Sequence, residues 1–239
     1  MVRVFCDFDG TVCETDVGRE FFRKFAGAET ADSIVGKYLS DTLTARESLL
    51  SQCASVKPFR REAVESFVAA HHPDSTFHAF AQFCRSRNIP LTVVSDGLDF
   101  YVSRILHSAG MGDLPWFANH AELVPAGNGF TLKVTFPYAD SECTWCGNCK
   151  RNHMITSSAD EDIIVYVGDG ISDRCPVRYA DFVFAKKQLI AYCQEANISY
   201  FRYDDFNDVQ VKLRELLDRP RLKHRREAAM ARREVFMQG

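Results

Sequence analysis

Short apolar runs alternate along the chain with stretches in which apolar residues recur at every third or fourth position. Residues 2–8, 90–95, 163–168 and 182–185 read as buried strands, with 199–203 a weaker fifth. Strands that are apolar throughout and separated by helices belong to a mostly parallel sheet covered on both faces, so the pattern predicts an α/β fold. Two intervals between strands are too long for simple crossovers. In residues 16–72 the apolar positions keep helical spacing, as in Phe21, Phe22 and Phe25 or Leu49, Leu50 and Cys53, which predicts a helical cap inserted after the first strand. In residues 119–137 a Gly127-Asn128-Gly129 turn signal separates Leu123-Val124 from an apolar run at 130–136, which predicts a hairpin. The expected layout is a core of residues 1–15 and 73–218, a cap at 16–72 and a separate tail at 219–239.

Composition changes this picture little. A chain of 239 residues that is 46% hydrophobic buries a real core, and a net charge of -3 gives no global reason to expect nucleic acid or an anionic membrane as partner. That average hides an asymmetry. The tail at 219–239 holds seven Lys/Arg against two Glu, about +5, which leaves about -8 on the rest. Its basic residues lie among Ala228, Ala229, Met230 and Ala231 with almost no aromatic interleaving, so a solvated or frayed terminal helix is expected over a nucleic-acid contact. No long apolar span or signal-peptide core is present, and a cytoplasmic address is expected. Nine cysteines, mostly scattered singly, fit reduced thiols; Cys6, Cys53, Cys84 and Cys193 read as small core hydrophobes.

Ligands on parallel sheets bind beyond the carboxyl ends of the strands, which directs attention to the polar residues that follow the apolar runs. Asp7-Phe8-Asp9-Gly10-Thr11 closes the first run. Two acids one residue apart leave a strand end on the same side, where one attacks an electrophile and the other moves a proton; in isolation the pair equally suits a strand-to-turn cap. The segment Gly168-Asp169-Gly170-Ile171-Ser172-Asp173 again sets acids after a buried strand. Carboxylates there suit Mg²⁺, which takes a few of them together with water and substrate phosphate, although an Asp-capped turn reads the same way. Ser95 and Asp96 follow the second strand, and Lys150 precedes the third.

Taken in order, these residues resemble the four motifs of the haloacid dehalogenase-like phosphatases: Asp7-x-Asp9-x-Thr11-Val12, Ser95, Lys150, and Gly168-Asp169-x-x-x-Asp173. The resemblance covers nearly the whole chain and implies a Rossmann-like core. It implies Asp7 as nucleophile, Asp9 as acid and then base, and Thr11, Ser95, Asp96 and Lys150 around the phosphate. It further implies Mg²⁺ held by Asp7, the Asp9 carbonyl and Asp169, with Asp173 in support. The chemistry demands such a set: a phosphate dianion repels a carboxylate nucleophile unless cations offset the charge.

A helical cap after the first motif is like that of the subgroup containing phosphoserine phosphatase, and it implies a small phosphorylated metabolite as partner. Asp16 stands where phosphoserine phosphatases have Glu, which lowers phosphoserine as substrate; Asp16 equally suits a helix cap. Asp16, Asp99-Phe100-Tyr101-Val102 and the cysteine-rich approach to Lys150 are similar to the 2-hydroxy-3-keto-5-methylthiopentenyl-1-phosphate phosphatases of methionine salvage. Ser95-Asp96 and Asp173-x-Cys175-Pro176 are similar to the phosphoethanolamine/phosphocholine phosphatases. Methionine salvage is placed first. The different-class alternative is a noncatalytic phosphate- or nucleic-acid-binding protein.

Cys143-x-x-Cys146-x-x-Cys149 directly precedes Lys150. With His153 or Cys175 as fourth ligand it suits a secondary Zn²⁺ site; a redox pair and a loop that merely positions Lys150 are the other readings. His71-His72 before Pro73 reads as a helix end rather than a metal site.

Overall fold

The computed structural model describes residues 1–238. In chain order the elements are β1 (Val2–Cys6), the helices α1 (Val17–Phe25), α2 (Ala28–Leu39), α3 (Ala45–Ala54), α4 (Arg61–Ala69) and α5 (Phe77–Ser86), then β2 (Leu91–Leu98) and α6 (Asp99–Ser108). There follow the hairpin strands β3 (Trp116–Ala126) and β4 (Gly129–Thr135), α7 (Lys150–Thr156), β5 (Ile163–Gly168), β6 (Phe182–Ala185), α8 (Lys187–Glu195), β7 (Phe201–Arg202), α9 (Phe206–Leu217) and α10 (Arg226–Gln238). The strand order is β4-β3-β2-β1-β5-β6-β7. The β1-β2, β1-β5, β5-β6 and β6-β7 pairs are parallel and the β3-β4 hairpin is antiparallel, giving the mostly parallel α/β sheet that the apolar runs predict.

The chain forms two units, each discontinuous in sequence. One comprises Met1–Val12, Pro73–Val94 and the chain from Lys150 on. Its central strands are buried on both sides: every residue of β5 and the last three of β1 are buried, as continuous apolar runs require. From β1 the chain departs to β2 on one side and later returns as β5 on the other. On such a sheet a reversal of this kind is the usual place for a ligand, beyond the carboxyl ends of the strands. Phe77, Phe80 and Phe206 pack α5 against α9 with ring centroids 4.8 to 6.5 Å apart.

The second unit comprises Cys13–His72 and Ser95–Cys149. Asp16 caps α1 by accepting from the Arg19 N–H at 2.8 Å, so the cap reading of that residue holds. Thr44 and Glu47 close a reciprocal capping box on α3. Phe21 gathers Phe25, Phe67 and Phe100 at 4.6 to 5.6 Å, which fixes the apolar face of α1. Leu49 and Cys53 point inward as the spacing predicts, whereas Leu50 lies on the solvent side of α3. The hairpin begins earlier than its sequence signal, and Gly127 at φ +56° takes the first position of its two-residue turn, a conformation that costs glycine little.

Among the described residues no helix is long and apolar enough to cross a membrane. Cys6, Cys53, Cys84 and Cys193 are buried, and burial pushes the Cys53 and Cys84 thiols up to about 12 and that of Cys193 to about 11. These are inert core side chains.

Candidate active site

Beyond the ends of the central strands, β1 delivers Asp7, β5 delivers Asp169 through Gly168, and α7 opens with Lys150. The Lys150 ammonium, 2% exposed, donates to Asp7 Oδ1 at 2.6 Å, to Asp173 Oδ1 at 2.8 Å and to Ser172 Oγ at 3.0 Å. Asp173 is held rigidly: its Oδ2 accepts from the Asp169 and Gly170 N–H groups at 2.9 and 3.1 Å, and its Oδ1 also accepts from the Tyr166 hydroxyl at 2.6 Å. The Thr11 hydroxyl donates to Asp169 Oδ1 at 3.4 Å. Gly10 is required where it stands. Its φ is +76°, and a Cβ there would collide with the Asp169 carboxylate.

Asp7, Asp169 and Asp173 each place a carboxylate oxygen within 4.8 Å of the others. Burial, then repulsion from Asp173, pushes the Asp7 carboxyl well above the ordinary range, against the pull of Lys150. Burial and Asp173 raise Asp169 as well, against the pull of Lys187. The cluster sets three carboxylates about the buried Lys150 and the half-exposed Lys187. A set of hard oxygen donors in that condition fits a divalent cation such as Mg²⁺.

Asp7, Thr11, Lys150, Asp169 and Asp173 are thus brought together in one unit, and Asp9 lies half-buried in the turn that joins Asp7 to Thr11. Ser95, Asp96, Asp16 and the three clustered cysteines belong to the other unit. There, the buried Ser95 accepts from the Gly97 N–H at 2.9 Å, and the Asp96 carbonyl accepts from Asn119 at 2.7 Å. Among the described residues no cluster of three metal-ligand side chains includes Cys143, Cys146 or Cys149, which removes the support for zinc at that spacing. His153, entertained as a fourth ligand, is a buried imidazole whose pKa desolvation lowers to about 4.

Three further polar side chains line the cluster without having been singled out from sequence. Tyr166 sits within an apolar strand and Ser172 within a turn, and neither offered a signal. Lys187 did: a Lys-Lys pair directly follows the buried β6 run. Lys187 has φ +48° and reaches Asp169 Oδ2 at 3.0 Å and the Gly10 carbonyl at 3.1 Å. A non-glycine residue in the left-handed region at such a place marks a geometry held by its surroundings.

The basic segment differs from its expectation. It packs onto Asp181, whose side chain is inaccessible. Asp181 Oδ1 accepts from the Arg225 N–H at 3.1 Å and from Arg232 Nη2 at 3.2 Å, and Oδ2 accepts from the Ile164 N–H at 2.9 Å and pairs with His224 Nδ1 at 3.3 Å. Ala228 is fully buried and Arg232 is 9% exposed. Charge composition alone conceals this because the compensating acid lies outside the segment; Gly239 lies outside the described residues.

Comparison with known proteins follows the same lines. The family described as "Putative Phosphatase" matches residues 2–203. A 2-hydroxy-3-keto-5-methylthiopentenyl-1-phosphate phosphatase of Bacillus thuringiensis (strain Al Hakam) is 33% identical over 221 residues, covering 91% of this chain and 98% of that protein. Among solved structures, a phospho-aspartyl intermediate analogue of phosphoserine phosphatase superposes with a TM-score of 0.67 at 20% identity, covering 89% of this chain and 99% of that one. A HAD family hydrolase of Salmonella enterica subsp. enterica serovar Typhi does so with a TM-score of 0.67 at 16% identity, covering 85% and 67%. At these identities the structural likeness speaks for the fold.

Proposed function

Because the chain belongs to the Putative Phosphatase family, we propose that it hydrolyses the phosphomonoester of a small metabolite through an aspartyl-phosphate intermediate on Asp7, with Mg²⁺ as cofactor. The observation that carries the reading is the buried Lys150 ammonium seated between Asp7 and Asp173. A cation held out of water against a carboxylate is suited to bringing that carboxylate up to a phosphate dianion, because charge stabilisation is the main task in phosphoryl transfer.

In this mechanism an Asp7 oxygen attacks phosphorus and the bond to the ester oxygen breaks. The Asp9 carboxyl gives its proton to that departing alkoxide. Asp9, now a carboxylate, takes a proton from water, whose oxygen attacks the phosphorus of the acyl phosphate. The bond from phosphorus to Asp7 breaks, and inorganic phosphate leaves. Asp7, the Asp9 carbonyl and Asp169 would hold Mg²⁺, with Asp173 fixing the turn behind them; when bound, the metal supplies positive charge against the phosphoryl oxygens. Thr11, Ser95 and the peptide groups around Asp96 serve as phosphate contacts, and residues 16–72 serve as the cap that selects the substrate, with Asp16 a candidate for contacting it.

The substrate we place first is 2-hydroxy-3-keto-5-methylthiopentenyl-1-phosphate, on the strength of relatives of that name matched over nearly their full length. Phosphocholine, phosphoethanolamine and then phosphoserine follow. Phosphate release from a panel of these four, with and without Mg²⁺ and with Asp7→Asn as control, tests the reading. Metal-dependent turnover that is lost in the variant and is fastest on the methionine-salvage compound is expected. Turnover that survives Asp7→Asn would exclude the intermediate, and a preference for phosphocholine would replace the substrate.

A further inference from the structure

The stretch that follows Val94 in β2 is held by two asparagines to which no role has been given. Asn148, fully buried, donates both hydrogens of its amide nitrogen, to the Ser95 carbonyl at 2.7 Å and to the Phe117 carbonyl at 3.1 Å. Asn119, 1% exposed on β3, donates to the next carbonyl, that of Asp96, at 2.7 Å. Carbonyl oxygens surround each of these nitrogens, so the amide orientation follows from the chemistry: an amide oxygen turned the same way would face acceptors only. Two consecutive peptide groups are therefore gripped by side chains.

Peptide planarity converts that grip into a direction. In a trans peptide the C=O and the N–H of the following residue point oppositely, so fixing the Ser95 carbonyl fixes the Asp96 N–H, and fixing the Asp96 carbonyl fixes the Gly97 N–H. The Gly97 N–H lands on Ser95 Oγ at 2.9 Å. That bond holds the hydroxyl oxygen in place, and the hydroxyl keeps one hydrogen with which to donate. A hydroxyl donor on a fixed oxygen, next to a directed peptide N–H, is the equipment for gripping an anionic oxygen.

The loop before Lys150 is shaped to supply this clamp. A Cβ on Gly147 would come within 2.7 Å of Asn119 Oδ1 and 2.6 Å of the Phe136 ring, so only glycine lets the loop pass there. The Cys149 N–H is tied to the Tyr138 carbonyl at 3.0 Å, and Cys149 is 4% exposed. Gly147-Asn148-Cys149-Lys150 is thus four consecutive residues, of which one makes room, one clamps, one anchors and one provides the cation of the acidic cluster.

We infer that Asn148 and Asn119 are positioning residues that orient Ser95 and the Asp96 peptide to grip the phosphoryl group. This inference rests on the proposed phosphatase reading and deepens it. It predicts a loss of phosphate affinity common to ground state and transition state, and so a change in KM with little change in kcat.

The test uses the full chain with Mg²⁺. Asn148→Ala and Asn119→Ala are each compared with the parent by KM, kcat, the competitive inhibition constant of inorganic phosphate, and amide hydrogen exchange at Asp96 and Gly97. Each variant is expected to raise KM and the phosphate constant about tenfold, as loss of one or two buried hydrogen bonds implies. The turnover number should stay within about threefold, because uniform binding is what is lost, and exchange at the two amides should quicken. A folded variant of either residue is sufficient. An unchanged phosphate constant, or a fall in kcat at constant KM, overturns the inference while leaving the phosphatase reading intact. A parent that neither turns over any phosphomonoester nor binds inorganic phosphate overturns both, so the two failures are distinct.

Discussion

Two buried carboxylate sites in the same unit are matched to their surroundings in opposite ways. Asp181 is saturated: two backbone N–H groups, Arg232 and His224 converge on its two oxygens. Asp7, Asp169 and Asp173 crowd three carboxylates around one buried lysine and the half-exposed Lys187, and burial with mutual repulsion raises Asp7 and Asp169. The first arrangement is what stability selects, because an isolated buried charge is costly and a fully hydrogen-bonded one is not. The second is poor for stability alone. It fits a site that is completed by a cation and an incoming phosphate, and a perturbed cluster at the carboxyl ends of parallel strands is where function is expected.

The sharpest way to break this comparison is Asp7→Asn. Turnover should fall by at least about 10³-fold, the scale on which removing a member of a catalytic set acts, while thermal unfolding shifts little or upward because a repulsive charge has gone. A variant of lower stability and full activity would invert the assignment. Asp181→Ala should do the reverse. Leaving Arg232 and its neighbours without their carboxylate should cost about 3–5 kcal/mol, lowering Tm by roughly 10 °C for a chain of this size, with kcat of the folded enzyme unchanged.

A third buried group sharpens the contrast by staying neutral. His153 titrates at about 4 because burial disfavours the imidazolium. The unfolded chain, with an ordinary histidine near 6.5, binds a proton that the folded chain refuses between those values. Stability is therefore complete above about pH 6.5 and falls as the pH drops towards 4, by up to about 1.4 kcal/mol per pH unit. Chemical denaturation of the parent and of His153→Gln across that range should show the slope reduced in the variant. The smallest effect is expected for Arg225→Met. Arg225 Nη2 donates to the Val177 and Arg178 carbonyls, but its Nε and Nη1 are buried without partners, and desolvation lowers its pKa. Relief of that burial offsets the lost bonds, so a cost of about 1 kcal/mol or less is expected, below that of Arg232→Met in the same denaturation assay.

The sequence carried the strand pattern and the acidic cluster because both are written in residues close together. Apolar runs at 2–8, 163–168 and 182–185 announce buried parallel strands, and acids placed at the ends of two of them announce the cluster. The spacing of Asp169 and Asp173 is a local signature as well. What stayed hidden depends on partners distant in the chain. Asp181 looks like any acid before a strand until Arg232, 51 residues on, packs against it. Asn148 within a cysteine-rich loop draws no notice until Ser95, 53 residues earlier, is found beneath its amide. The cysteines misdirected attention towards zinc, although in the fold the glycine and asparagine between them do the local structural work. Lys187 alone among the missed residues left a trace, as a charged pair following a buried strand.

The pairing of β1 carries a consequence for biosynthesis. Val2 faces Ile163, and the other neighbour of β1 begins at Leu91. β1, made before the other described strands, is thus the centre of the sheet, and its second edge is closed only after some 160 further residues have been added. At about 5–20 residues per second, that interval lasts roughly ten to thirty seconds. During it an apolar strand has an open edge of the kind that pairs with other chains. Nascent chains stalled before β5 should therefore aggregate or recruit chaperones, whereas chains released after β6 should not.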